Sequence, residues 1–254
     1  MSIKTFNTKY GLISLYSNDK FITGSFDNNV YWDEHTLLEL KKYIDPNKNI
    51  LEIGGHCGTS SIVYASFLNE GQKVYVYEPQ EKLFSLLLTN IENNNLTDKI
   101  IPFKKGVFCF NGETFMNDTD IDGGGGNVKK RYNEENNLDC NFGGIGIGYN
   151  GEQITVVTVD SMNLENIGFI HCDAQGAENY IFSKSRNLIS RCKPVIFFEN
   201  NEKYDVQMYN NVYKNNPQYW MEGKFNVVNY CVGELNYNNC IERFNGSIDT
   251  LLFP

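Results

Sequence analysis

The segment Leu51-Glu52-Ile53-Gly54-Gly55-His56-Cys57-Gly58-Thr59 constrains this chain more than any other. An apolar run ends in a carboxylate and passes through glycines at 54 and 58 into a stretch with helical spacing. Glycine takes left-handed backbone angles at no steric cost, which a sharp strand-to-helix turn requires, and it lets a ligand approach the backbone closely. Around this point short apolar runs alternate with helical stretches: strands over 50–53 and 74–77, helices over 59–68 and 83–91. The second helix carries Leu83, Leu87 and Ile91 one turn apart, a stripe fit to face a sheet. Such alternation builds a doubly wound, mostly parallel α/β sheet of Rossmann type, with helices on both faces and a ligand crevice beyond the carboxyl ends of its strands.

What the turn lacks narrows what the crevice holds. A dinucleotide fingerprint starting at Gly54 needs glycines at 56 and 59, where this chain has His56 and Thr59, so an NAD-linked enzyme is disfavoured. A ligand without phosphate fits better. S-adenosylmethionine is one: its ammonium wants carboxylate and carbonyl partners, and its bulk wants the room that glycine leaves. Glu78 ends the next apolar run, Val74-Tyr75-Val76-Tyr77, where an acid can accept hydrogen bonds from both ribose hydroxyls. The expected cofactor contacts are therefore Glu52, Gly54, Gly55, Gly58, Thr59, Glu78 and Pro79.

The 254 residues suit one domain, expected to span 1–254. Residues 1–32, with apolar runs at 12–16 and 21–23, read as an N-terminal β extension or lid, followed by helical spacing at Leu37, Leu38, Leu40 and Tyr43. Residues 100–103 and 106–110 extend the sheet or its border. From 117 to 152 the chain turns polar and glycine-rich, an expected substrate cover in which Lys129, Lys130, Arg131, Tyr132 and Tyr149 offer charge and stacking surface. Strands then follow over 154–159, 169–172, 195–198, 225–231 and 250–253, with helices from about 177 and near 206–214.

A net charge of −9 without any dense Lys/Arg run excludes an electrostatic footprint for nucleic acid or an anionic membrane. No apolar run reaches the ~20 residues of a membrane span, and the N-terminus lacks a signal-peptide core, so a soluble cytoplasmic protein is expected. The seven cysteines form no CxxC pair and read as reduced, mostly buried thiols.

A second constellation lies at Gly168-Phe-Ile-His-Cys-Asp173-Ala-Gln-Gly176-Ala-Glu178, again an apolar strand ending in an acid before a glycine turn and a helix. Asp173 is thereby placed on the rim that carries Glu52 and Glu78, as a further cofactor contact. Pro194-Val-Ile-Phe-Phe-Glu199-Asn200 delivers another carboxylate and an amide to the same rim. Asp173 and Glu178 equally suit the N-terminus of the helix that follows them. Together with Val76-Tyr-Glu-Pro79, Asn90 to Asn95 and Val157-Thr-Val-Asp160, these pieces make the chain resemble an FkbM-type methyltransferase over about residues 30–200. Departures are Glu52 where the family often has Asp, Gly55-His56 where Ala-Asn is usual, and Gln175 where Glu is common.

The resemblance implies methyl transfer to oxygen, on a hydroxyl of a sugar, a glycan or a glycosylated or polyketide-type small molecule. A neutral alcohol must lose a proton, and Asp173 is the first candidate base, with His171 and His56 after it. Glu199 stands beside Asp173 in the catalytic set. Alternatively a divalent ion, Mg or Mn, held by Asp173, Glu199 and Asn200 lowers the hydroxyl's pKa. A different class of reading is a cofactor-binding scaffold of the same fold that transfers no methyl.

Overall fold

The computed structural model describes residues 2–119, 133, 135–136, 138–210, 214 and 225–254. Gly123 to Gly126 and the Lys129 to Tyr132 stretch lie outside the described residues.

Strands β1 (Ile3–Thr8) and β2 (Gly11–Tyr16) form an antiparallel hairpin. The outer edge of β2 is met by amide side chains rather than by a third strand. Ser14 N–H donates to Asn90 Oδ1 at 2.7 Å, and Asn90 Nδ2 donates to the carbonyls of Ser14 at 3.0 Å and Cys57 at 2.8 Å. One turn on, Asn94 pairs with both backbone groups of Leu12. A strand edge that would invite another chain is thereby closed by the helix carrying Asn90. Asn90 is fully buried, so Asn90→Leu strands three buried backbone groups without partners. We expect a loss of about 3 kcal/mol or more, read by chemical denaturation, with Asn94→Leu costing clearly less at its more exposed site.

After α1 (Ile22–Asp27) and α2 (Glu34–Leu40) the main alternation begins: β3 (Asn49–Ile53), α3 (Thr59–Phe67), β4 (Val74–Tyr77), α4 (Glu81–Asn93) and β5 (Ile100–Phe103). A second, four-stranded sheet of order β6-β9-β7-β8 interrupts it, built from β6 (Gly106–Val107), β7 (Gly112–Met116), β8 (Ile147–Gly148) and β9 (Gln153–Val157). The alternation resumes with β10 (Ile167–Cys172), α5 (Glu178–Phe182), α6 (Arg186–Cys192), β11 (Val195–Glu199), α7 (Glu202–Met208) and α8 (Val227–Glu234), and ends in β12 (Asn239–Glu242) and β13 (Asp249–Phe253).

The large sheet has the order β12-β13-β11-β10-β3-β4-β5. Neighbours from β11 to β5 run parallel, whereas β13 lies antiparallel to both β11 and β12. The sheet is therefore mixed, which corrects the expectation of a mostly parallel one. Consecutive residues of the inner strands enter different cores: Ile50, Phe169 and Phe197 pack with α2, α3 and α4, and Leu51, Ile170 and Phe198 pack with α5, α6 and α8. Helices cover both faces, which is why these strands read as unbroken apolar runs.

Two further expectations are corrected. Residues 21–23 open α1 instead of forming a strand, because Asp19 Oδ1 accepts the N–H groups of Phe21 and Ile22 and turns the chain. Residues 225–231 enter α8, where Val227, Tyr230 and Cys231 share a buried face and the Asn226 side chain caps Asn229 N–H. The valines and aromatic residue there suit a strand locally, but the cap and the i, i+3, i+4 burial decide for a helix.

Candidate active site

From β3 the chain winds outward through β4 and β5, then returns to the other side of β3 as β10 and β11. The order thus reverses between β3 and β10, and beyond their carboxyl ends lies a cavity of about 460 Å³. The turn after β3 fixes its floor. Gly54 and Gly55 both donate to the Tyr77 carbonyl, at 2.9 and 3.1 Å, and Asp173 N–H donates to Ile53 O at 3.0 Å. Gly54 and Gly58 have φ of 87° and 88°. A Cβ at Gly54 would lie 1.8 Å from the Asp173 carbonyl oxygen, and one at Gly58 would lie 2.6 Å from Leu87 Cδ1. The room these glycines leave is taken by the protein itself, so they serve strand and helix packing.

Of the residues expected to hold cofactor, Gly54, Thr59, Glu78, Pro79 and Asp173 line the cavity. Gly55 and Gly58 form the turn behind it. Glu52 is fully buried beneath it, its two oxygens taken by the hydroxyls of Ser60 and Ser61 in the first turn of α3. Glu78 is anchored by His56 N–H at 2.9 Å on one oxygen and by Gln80 N–H at 2.8 Å on the other. Val107, Met116, Ile145 and Ile147 add an apolar slot on the cavity wall.

That wall shows what the described part of the 117–152 loop does. Cys140 exchanges backbone hydrogen bonds with Asn18 and Lys20, each 2.8 Å, and Gln80 Nε2 donates to Phe142 O at 3.2 Å. The loop is thus pinned over the Glu78 end, between the N-terminal segment and α4. Asp19, buried and pushed up to about 6 by desolvation, sits 3.9 Å from His56 Nε2 on the same side.

The remaining carboxylates gather at the other end. Oxygens of Asp173, Glu178 and Glu199 lie within 4.8 Å of one another. The Asn200 amide, one residue on, donates to Thr250 Oγ1 at 3.2 Å. Gln175 Nε2 bridges two of the three carboxylates, at 2.9 Å to Asp173 and 3.4 Å to Glu199. Glu178, pushed up to about 8 by burial, accepts the Ala174 N–H at 2.6 Å.

His171 also lines the cavity, as the cross-strand neighbour of Glu52. Its Nδ1 lies 3.1 Å from the Tyr64 hydroxyl and 3.8 Å from Glu52 Oε1. Burial works against a charge on the ring, but Glu52, helped by Asp173 and Asp249, outweighs it and lifts the pKa above its ordinary value. Tyr64 is held well above a normal phenol by burial and stays neutral. The side chain of His171 is 15% exposed, against 0% for Glu52. Sequence reasoning missed Trp32, Asp33 and Ile248, which line the same end. They carry no motif, and only their nearness in the fold reveals them.

The reversal of strand order, the glycine turn after β3 and the acid after β4 define an α/β fold of the methyltransferase kind. The Methyltransferase FkbM domain matches residues 52–220, and the chain belongs to that family. The crystal structure of methyltransferase FkbM from Methylobacillus flagellatus KT shares the fold with a TM-score of 0.52 at 14% identity, covering 83% of this chain and 44% of that one. This chain therefore spans less than half the length of that protein. An O-methyltransferase from Bacillus cereus in complex with SAH is a looser likeness, with a TM-score of 0.47, 16% identity and coverage of 87% of this chain and 79% of that one. No curated protein matches the chain. No helix among the described residues is long and apolar enough to cross a membrane.

Proposed function

We propose that this protein is an S-adenosylmethionine-dependent O-methyltransferase acting on a hydroxyl of a sugar or glycan. The observation that carries the reading is one unbroken cavity with a ribose-type acid at one end and an imidazole among hydroxyl acceptors at the other. Its volume of about 460 Å³ lies in the range of small-molecule sites. The donor set fits the cofactor: Glu78 for the ribose hydroxyls, the Val107 to Ile147 slot for the base, and Asp173 with Glu199 for the ammonium.

When bound, S-adenosylmethionine supplies a methyl carbon activated by a sulfonium leaving group. The chain's own work is positioning and proton removal. We assign proton acceptance to His171 Nε2. Its Nδ1 is turned to Tyr64 and Glu52 while the residue lines the cavity, so Nε2 is the nitrogen left for a substrate proton. One oxygen of Asp173 is already engaged by the Gln175 amide at 2.9 Å. The same amide also reaches Glu199 at 3.4 Å, and the proton step is assigned to the imidazole with no metal taking part in it.

Calorimetric titration of the full chain with S-adenosylhomocysteine, with and without Mg or Mn, tests the cofactor site. We expect micromolar affinity, independent of the ion, and transfer of labelled methyl to sugars in an acceptor screen. Folded protein that binds no S-adenosylhomocysteine would sink the reading, and binding without transfer to any hydroxyl would make the protein a scaffold.

A further inference from the structure

Part of the acceptor end of the cavity is built from outside the region that the FkbM domain matches. Trp32 and Asp33 precede residue 52, and Ile248 follows residue 220. Asp33 stands at the N-cap position of α2, where an aspartate ordinarily accepts a hydrogen bond from the helix's own N–H groups. It makes no such bond. Its backbone is left-handed, φ 56°, and it lines the cavity, within electrostatic reach of His171 and Asp173. Its carboxylate keeps a side-chain hydrogen bond to Thr36 in the first turn of α2, and with about four acceptor sites it has capacity left for ligand hydroxyls.

Trp32, next to it, lines the cavity and is 37% exposed overall. An indole face covers the apolar C–H face of a sugar ring, and a carboxylate accepts from the hydroxyls at the ring's edge. Charge completes the picture. Asp33, Glu78, Asp173 and Glu199 all line the cavity, and among the described residues that line it there is no lysine or arginine. Among the described lining residues only the imidazoles of His56 and His171 can carry positive charge against these four carboxylates, and an excess of like charge in a site disfavours an anionic ligand.

Resting on the methyltransferase reading, we propose that the acceptor is an unphosphorylated, non-anionic sugar, with Trp32 stacking on its ring and Asp33 gripping its hydroxyls. The described lining disfavours nucleotide sugars, sugar phosphates and uronic acids. The Trp32-Asp33 pair selects the acceptor and takes no part in holding the cofactor.

Tryptophan emission provides the test, since the chain has two tryptophans and Trp220 can be removed as Trp220→Phe. The full-length variant is titrated with neutral methyl hexosides, a methyl glucosaminide and hexose 6-phosphates, each with and without S-adenosylhomocysteine. A neutral or amino glycoside is expected to shift Trp32 emission saturably, and the phosphates to bind at least about tenfold more weakly. Asp33→Asn should weaken the glycoside by about tenfold or more, with S-adenosylhomocysteine affinity unchanged within about twofold. In methyl transfer, Trp32→Ala should raise the acceptor KM with kcat changed little, and Trp32→Phe should restore part of it. Tighter binding of a phosphate than of its neutral parent overturns the proposal, as does a glycoside affinity indifferent to both Asp33→Asn and Trp32→Ala. No response to any glycoside at high millimolar concentration overturns it too. Because the titrations are also run without S-adenosylhomocysteine, a protein that binds sugars but not the nucleoside would sink the methyltransferase reading and leave this one standing.

Discussion

Gly54→Ala is expected to destabilise the chain by about 4 kcal/mol or more, lowering Tm by about 10 °C, and to abolish S-adenosylhomocysteine binding. Two costs coincide at this position. Its φ of 87° is a conformation that costs an alanine about 1–2 kcal/mol. The added methyl would also arrive 1.8 Å from the Asp173 carbonyl oxygen, a distance no side chain tolerates. Relief requires β3 and β10 to separate at their carboxyl ends, where Asp173 N–H bonds Ile53 O. That is the point at which the strand order reverses and the cavity opens, so stability and binding fall together. Gly246→Ala makes the control, since it has a comparable φ of 81° but open space around its Cβ position. It should cost only the backbone term. Scanning calorimetry and nucleoside titration of both variants decide the matter: a Gly54→Ala protein as stable as Gly246→Ala would mean that β3 and β10 do not approach as described.

That glycine also shows how far the sequence could be read. The ExGxxxG pattern located the turn correctly, but the reason lies in contacts with Asp173 and Leu87, residues distant in sequence, which no local pattern reports. The inner strands were legible because both of their faces are buried, leaving continuous apolar runs. The second sheet was legible only in β9 and in the border run that holds β6, because β8 is two residues long and β7 buries Thr114 while exposing Phe115. Strand β12, Asn-Cys-Ile-Glu on the exposed edge, buries no residue fully and so leaves no apolar signature. The acids at strand ends were found, but their directions were not. Glu52 points into the sheet's α3 face with Ile50, and Asn200 turns to β13. Trp32 and Asp33 became visible only when the extension folded back over the cavity.

His171→Gln is expected to lower kcat by about 100-fold or more while leaving S-adenosylhomocysteine affinity within about twofold, because a positioned base typically contributes that much and glutamine keeps the side chain's polarity without its basicity. The role of Glu52 separates a base from a mere wall residue. Glu52 is sealed from solvent and held by Ser60 and Ser61, 3.8 Å from His171 Nδ1, so its charge favours the imidazolium and raises the pKa. A base works only when neutral. The rate should therefore climb as pH rises through this elevated pKa and level off above it. Glu52→Gln removes the charge while keeping the hydrogen-bonding shape, so the imidazole becomes less basic and the rising limb moves to lower pH. Its plateau should fall, since a weaker base takes the proton less readily. Were Glu52 a cofactor ligand instead, Glu52→Gln would weaken S-adenosylhomocysteine binding and leave the limb in place. The two variants, followed by pH–rate profile and calorimetry together, therefore tell whether the acid of the ExGxxxG turn serves the nucleoside or the histidine across from it on β10.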